Sequence, residues 1–208
     1  MRRSRAAPAA WAGVLVALAL VPGCGRTSPV GLKGVARTPP LDVGTVTLPD
    51  AAAGNKPFTT RPAPGHLLLV YFGYTSCPDI CPTTMSDIGV ALHKLGAAQR
   101  ARVDVAMVSV DPERDSGSVL MAFLNHFFTS SHALRTDDQA LLTSAEHAYD
   151  VMAQVQPHSP GANNYSVSHT AMTFVVDDRG VVVDEWPFGF TPAAMTSDLK
   201  VLLAGNTA

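Results

Sequence analysis

Apolar residues fall into two kinds of pattern along this chain. His66 to Phe72 contains the unbroken run Leu67-Leu68-Leu69-Val70-Tyr71-Phe72, and Arg102 to Val110 supplies Val103, Val105, Met107, Val108 and Val110. Short continuous runs of this kind belong to strands buried on both faces of a parallel sheet. Between them Met85, Ile88, Leu92 and Leu95 recur at helical spacing, with Asp87, His93 and Lys94 on other faces. The spacing predicts a helix packed on the sheet, and hence a right-handed βαβ unit.

Further on, Val119, Leu120, Phe123, Leu124, Phe127 and Phe128 predict a second helix. Leu141, Leu142, Ala145, Ala148, Val151 and Met152 predict a third, capped by Thr136 or Asp137. Thr170 to Val176 and Val181 to Trp186 read as a hairpin across Asp177-Asp178-Arg179-Gly180, a turn of residues that tolerate left-handed geometry. Thr191-Pro192 has the form of an N-cap and first helical position for a terminal helix carrying Met195, Leu199, Leu202 and Leu203. The order βαβ, helices, ββα describes an α/β, thioredoxin-like fold, a mixed central sheet flanked by helices. No internal repeat is visible.

The N-terminus follows a different pattern. Met1-Arg2-Arg3-Ser4-Arg5 is a basic leader, and Trp11 to Val21 is nearly all apolar. That run is shorter than the roughly 20 residues a bilayer span needs, so residues 1–23 read as a signal peptide. Val21-Pro22-Gly23-Cys24 resembles a bacterial lipoprotein cleavage site, at which the Cys24 thiol is acylated, with Pro22 an unusual occupant. A signal peptide cut elsewhere and an uncleaved anchor are the alternatives. Each puts the domain outside the cytoplasm, and acylation would hold it on the extracytoplasmic face of the bacterial cell membrane. Residues 24–40, rich in Gly, Pro, Ser and Thr, are expected as a lipidated N-terminus and flexible tether, and residues 41–208 as the folded domain.

Composition adds two constraints. The chain has 208 residues, 47% of them hydrophobic and 15% charged, enough for one ordinary core. A formal charge of −2 leaves no basic stripe for nucleic acid. There are three cysteines. Acylation would use Cys24, leaving Cys77 and Cys81, whose loop is too small to be a useful staple. A reactive or metal-binding pair is expected.

The segment Ser76-Cys77-Pro78-Asp79-Ile80-Cys81-Pro82-Thr83-Thr84-Met85 carries that chemistry. Proline suits a first helical position, so the helix is expected to start at Pro82 with Cys81 as N-cap and Cys77 in the preceding turn. Both thiols would then face the positive end of the helix dipole, which favours thiolate. Thiolates bind soft metal ions or attack disulfides. Redox pairs of the thioredoxin type have two intervening residues, whereas three give a wider loop that can bring both sulfurs around one ion, a disulfide remaining open.

Six histidines, His66, His93, His126, His132, His147 and His158, have no partner motif and read as surface or capping residues. His169 stands in Tyr165-Ser166-Val167-Ser168-His169-Thr170, leading into the hairpin's first strand. In a thioredoxin-like sheet that loop faces the cysteine turn, although a core or loop imidazole is the alternative. Two thiolates and an imidazole make a soft, low-coordinate site of the sort copper accepts, while structural zinc would want a fourth protein ligand.

Three blocks make the chain resemble a known family. They are Tyr71-Phe72-Gly73-Tyr74-Thr75-Ser76-Cys77-Pro78-Asp79-Ile80-Cys81-Pro82-Thr83-Thr84, then Ser109-Val110-Asp111-Pro112-Glu113-Arg114-Asp115, then Tyr165 to Thr170. From about Leu41 to Leu203 the sequence resembles the Sco/SenC copper proteins, assembly factors of cytochrome c oxidase. The resemblance implies one copper ion, Cu(I) and/or Cu(II), held by Cys77, Cys81 and His169 and delivered to the CuA centre of oxidase subunit II. It also implies, as an alternative, thiol-disulfide oxidoreductase activity toward the cysteines of that subunit, with Cys77 and Cys81 catalytic.

A copper donor or a thioredoxin-like reductant would be a further partner. Asp111 matches an acidic position after the second core strand and is expected beside the site, capping of the next turn being its other reading. Family members often carry Asp before the ligand histidine. Ser168 stands there in this chain, and a missing carboxylate bears on copper affinity. A binding module that senses copper or redox state is a third reading. A peroxiredoxin-like peroxidase lacks its Thr-x-x-Cys setting.

Overall fold

The computed structural model describes residues 31–205. The chain runs through β1 (Thr47–Asp50), a 3-10 turn (Ala51–Ala53), β2 (Lys56–Thr59), β3 (Leu67–Gly73), α1 (Ile80–His93), α2 (Ala97–Arg100) and β4 (Val103–Ser109). It continues through α3 (Gly117–Leu124), β5 (His132–Leu134), α4 (Gln139–Ala148), β6 (Ala153–Val155), β7 (Val167–His169), β8 (Met172–Val176), β9 (Val182–Pro187) and α5 (Pro192–Gly205).

Seven strands form one sheet in the order β2-β1-β5-β4-β3-β8-β9. β3, β4 and β5 are parallel, β8 runs antiparallel to β3, and β9 antiparallel to β8. Every residue of β3 is buried, as an unbroken apolar run in a sheet covered on both faces requires. Thr196 of α5 donates to the Ala91 carbonyl of α1 at 3.1 Å, so the first and last helices are joined side by side. The thioredoxin-like arrangement is the one expected, with α1 leaving the C-terminal end of the central strand. Among the described residues no helix is long and apolar enough to cross a membrane.

Local boundaries differ from the sequence reading, each for a physical reason. α1 starts at Ile80 rather than Pro82. A proline is tolerated anywhere in the first turn, where N–H groups lack intrahelical acceptors. α4 is capped by Asp138, whose carboxylate accepts from Ala140 and Leu141 N–H, while Thr136 Oγ1 accepts from Asp138 N–H. The same helix ends at Ala148, and left-handed Asp150 (φ 54°) turns the chain away, leaving Met152 80% exposed. α3 ends at Leu124, so Phe127 and Phe128 lie beyond it. The hairpin's first strand starts at Met172, and Val167–His169 is a separate strand paired with β6 in a two-stranded ribbon.

The expected signal peptide and the acylated Cys24 lie outside the described residues. Residues 31–40, placed in the tether by composition, lie against the domain. Val35 exchanges backbone hydrogen bonds with Glu185, and Lys33 and Gly34 N–H donate to the buried Asp198 carboxylate. Arg37 pairs with Glu185 and Asp150. The anchoring carboxylate comes from α5, which is why composition near residue 33 did not reveal it.

Candidate metal centre

The turn between β3 and α1 is held from below. Buried Asp115 accepts from the Thr75 N–H and hydroxyl and from Ser109 Oγ, tying the start of the turn to the end of β4. Gly73 precedes the turn, and a Cβ there would lie 2.6 Å from Tyr71 Cε1 and 3.0 Å from Cys81 Sγ. Its missing side chain is the space the second sulfur occupies.

Asp79 stands at the N-cap of α1 but its side chain makes no capping hydrogen bond. Cys77 Sγ takes that role, accepting from the Cys81 N–H at 3.4 Å. Cys81 is thus inside the first turn rather than at the cap. Both cysteines are free and buried, and Tyr71 donates its hydroxyl to Cys81 Sγ at 3.7 Å.

His169 comes in from the ribbon, its Cα opposite Ala153. The Thr170 carbonyl, which can only accept, lies 3.1 Å from His169 Nδ1. The proton therefore sits on Nδ1, and Nε2 presents its lone pair to Cys81 Sγ 3.4 Å away. Tyr71 and Tyr74 meet the imidazole edge-on, each with centroids 5.8 Å from it. The ligand atoms of Cys77, Cys81 and His169 all lie within 4.8 Å of one another, so the three residues singled out in the sequence do converge.

The two thiols are electrostatically unlike. Burial opposes ionisation of Cys77, but the N–H groups of Cys81 and Asp79 and the Cys81 and Tyr74 side chains bond its sulfur and hold its pKa below the ordinary value. Cys81 lies deeper, and burial pushes its thiol up to about 12. Burial also lowers the His169 pKa, favouring the neutral imidazole, and raises Tyr74 to about 12. A neutral imidazole, one thiol that ionises more readily than an ordinary one and one thiol that ionises when a cation replaces its proton make a soft three-donor set.

Asp111 does not join that set. Its carboxylate accepts from the Tyr165 hydroxyl at 2.6 Å and forms an ion pair with Arg114. The carboxylate is thus spent on a tyrosine and an arginine, with the ligand atoms supplied by other residues. Of the other histidines, His132 pairs with Asp50, His66 with Asp104 and His158 with Glu113. Sequence reasoning missed Tyr71, Tyr74, Arg114 and Asp115. Tyr71 reads as an apolar strand residue, Tyr74 stands just past the end of the run, and nothing local marks the others as supports.

The SCO1/SenC family model matches residues 50–204, a span that contains all three converging residues. A SCO2-like protein of Rickettsia felis is 28% identical over 145 residues, 69% of each chain. Among solved structures, the apo Sco1 protein from Thermus thermophilus is 31% identical with a TM-score of 0.67, over 84% of this chain and 96% of that one. Bradyrhizobium japonicum ScoI with copper bound is 30% identical with a TM-score of 0.63, over 80% of this chain and 98% of that one. With the match extending through nearly all of the sheet and both sides of the Cys-Cys-His cluster, the chain belongs to the SCO1/SenC family.

Proposed function

We propose that this chain carries one copper ion on Cys77, Cys81 and His169 and delivers it to the CuA centre of cytochrome c oxidase subunit II during oxidase assembly. It does so from the extracytoplasmic face of the bacterial cell membrane, to which an acylated Cys24 ties it. The observation that carries the reading is the convergence of two sulfurs and one unprotonated Nε2 within 4.8 Å, in a relative of a protein solved with copper bound. Copper here is cargo. Three protein donors satisfy Cu(I) without saturating it, so a thiolate of the acceptor can enter as one of them leaves.

The test uses the mature chain from acylated Cys24 in detergent, under anaerobic conditions with a competing Cu(I) chelator. Saturation at one copper per chain is expected, with affinity lowered in Cys77→Ser, Cys81→Ser and His169→Ala. Mixing the loaded chain with an apo CuA domain should produce the CuA absorption. Tight binding that survives loss of either cysteine overturns the site, and copper that stays behind on mixing overturns delivery and favours a sensor.

The unlike thiols favour a second reading, reduction of the acceptor's disulfide. Cys77 thiolate attacks one acceptor sulfur, forming a mixed disulfide and releasing the other acceptor sulfur as thiolate. Cys81, losing its proton, then attacks Cys77 Sγ and frees the second acceptor thiolate, leaving Cys77–Cys81 oxidised for a thioredoxin-like reductant. In that case His169→Ala retains reduction of an oxidised CuA domain while each cysteine variant loses it.

A further inference from the structure

His169 is not held by the main sheet. It ends a three-residue strand of a separate two-stranded ribbon, and a ribbon of that size is marginal by itself. Its distance to the cysteines must therefore be fixed by other contacts, and one side chain, Arg114, reaches both the segment that carries His169 and the cysteine turn.

We propose that Arg114 is a positioning residue for copper binding, clamping the segment that carries His169 to the turn that carries Cys77. The proposal rests on the copper reading above and deepens it. Arg114 follows β4, and its side chain is only 9% exposed. Nη1 donates to the Tyr165 carbonyl at 3.1 Å and the Asn163 carbonyl at 3.3 Å, both in the loop before β7. The guanidinium lies 3.8 Å from the Tyr165 ring centroid and 5.5 Å from that of Tyr74.

Tyr165 in turn donates its hydroxyl to Asp111, the carboxylate that pairs with Arg114. Tyr74, three residues before Cys77, donates to the Val167 carbonyl at 3.3 Å and sets its ring edge-on to His169. One planar cation thus touches the cysteine turn through Tyr74 and the histidine segment through Tyr165.

The energetics favour geometry over stability as the reason for this pair. A buried ion pair roughly breaks even against apolar packing, and Arg114 Nη2 is buried with no hydrogen-bond acceptor, an added cost. What the guanidinium provides that an apolar residue cannot is a fork reaching a carboxylate and two carbonyls at once. Arg114 does not touch the ligand atoms and acts through where it holds His169.

The experiment compares the mature chain from acylated Cys24 with Arg114→Gln, alone and combined with His169→Ala, by Cu(I) competition and by proton NMR of the metal-free protein. Arg114→Gln should weaken copper binding by roughly 10- to 100-fold, the range for residues that orient metal ligands. It should add nothing once His169 is gone, because the two act as one unit. Without copper, the cross-peaks between the His169 ring and those of Tyr71 and Tyr74 should disappear.

Arg114→Lys, which keeps the charge but not the fork, should restore part of the affinity. Equal weakening in the presence and absence of His169, or unchanged cross-peaks in folded Arg114→Gln, overturns the proposal. If Arg114→Gln does not fold, Arg114→Lys and Tyr165→Phe are judged by the same two criteria. If the unaltered chain takes no copper, the copper reading falls, and the proposal falls with it as a statement about affinity; the cross-peaks then report only whether Arg114 holds the imidazole.

Discussion

The N–H of Cys81 donates to Cys77 Sγ at 3.4 Å, so the first sulfur caps the helix whose first turn contains the second. One sulfur therefore receives the helix's unpaired donors while the other is buried beneath it. The two reactive groups of the motif are made unequal by their own local backbone.

This inequality predicts selective alkylation. At pH 7 to 8 iodoacetamide should modify Cys77, 9% exposed with a lowered pKa, and leave Cys81, fully buried with a pKa near 12. Peptide mass spectrometry against pH should give a Cys77 rate that levels off below the ordinary thiol pKa. Faster modification of Cys81 in the folded chain would contradict the geometry.

Copper binding should release protons and tighten with pH. Cys81 is a thiol until pH approaches about 12, and the metal needs thiolate, so its proton leaves on binding. Cys77 contributes a further fraction below its own pKa. The conditional affinity should rise by about tenfold per pH unit above neutrality for each proton lost. His169, its pKa lowered by burial, is already neutral at pH 7 and competes for protons only below the usual imidazole range. Isothermal titration in buffers of different ionisation enthalpy would count the protons.

Much of this was legible in the residues. The unbroken run of β3 and the helical spacing from Met85 to Leu95 fixed the central strand and its helix, and the cysteine motif with His169 identified the three donors. The helix start was misplaced by two residues because proline rules locate a first turn, not a first residue, and nothing local reveals that a sulfur supplies the cap. β1 (TLPD) and β5 (HAL) are too short for period-two alternation to register. The roles of Asp111, Arg114 and Asp115 depend on contacts across 40 to 54 positions, beyond the reach of any window pattern.

Gly73→Ala should damage fold and site together. The added methyl would meet Tyr71, Cys81 Sγ and Met107 at 2.6, 3.0 and 3.2 Å, and all three partners are buried. Overpacking of this kind costs about 1–3 kcal/mol. Urea denaturation should show that loss, and Cu(I) competition a weaker site, since the second sulfur must shift. Wild-type values in both would mean that Gly73 is not shaping the pocket.

The buried carboxyl of Asp184 should make stability fall as pH rises. Burial pushes Asp184 up from 3.8 to about 7, with the neighbouring Asp198 carboxylate adding to the effect and donors from Trp186 and Glu185 opposing it. An acid whose pKa is higher folded than unfolded binds its proton more tightly in the fold. That stabilisation is complete below its unfolded pKa and lost as pH rises through about 7. Between pH 5 and 8 the loss should be about 1–3 kcal/mol by urea denaturation. Asp184→Asn, which mimics the protonated form, should flatten the profile.

Ser168 provides the last prediction, because its position changes what the absent carboxylate means. Successive strand residues point to opposite faces, and in β7 the burial alternates, with Ser168 exposed between half-buried Val167 and His169. Its Cα lies opposite that of Gln154, one step along from the Ala153–His169 pair. A carboxylate at 168 would therefore project from the outer face of the ribbon, away from Cys77 and Cys81. Ser168→Asp should change Cu(I) affinity by less than about threefold and stability by less than about 0.5 kcal/mol, as for an exposed substitution. Because the new charge lies on the surface, any effect on copper transfer to a CuA domain should shrink as salt is raised. A tenfold gain in affinity from Ser168→Asp would mean that this face of the ribbon turns inward around the metal.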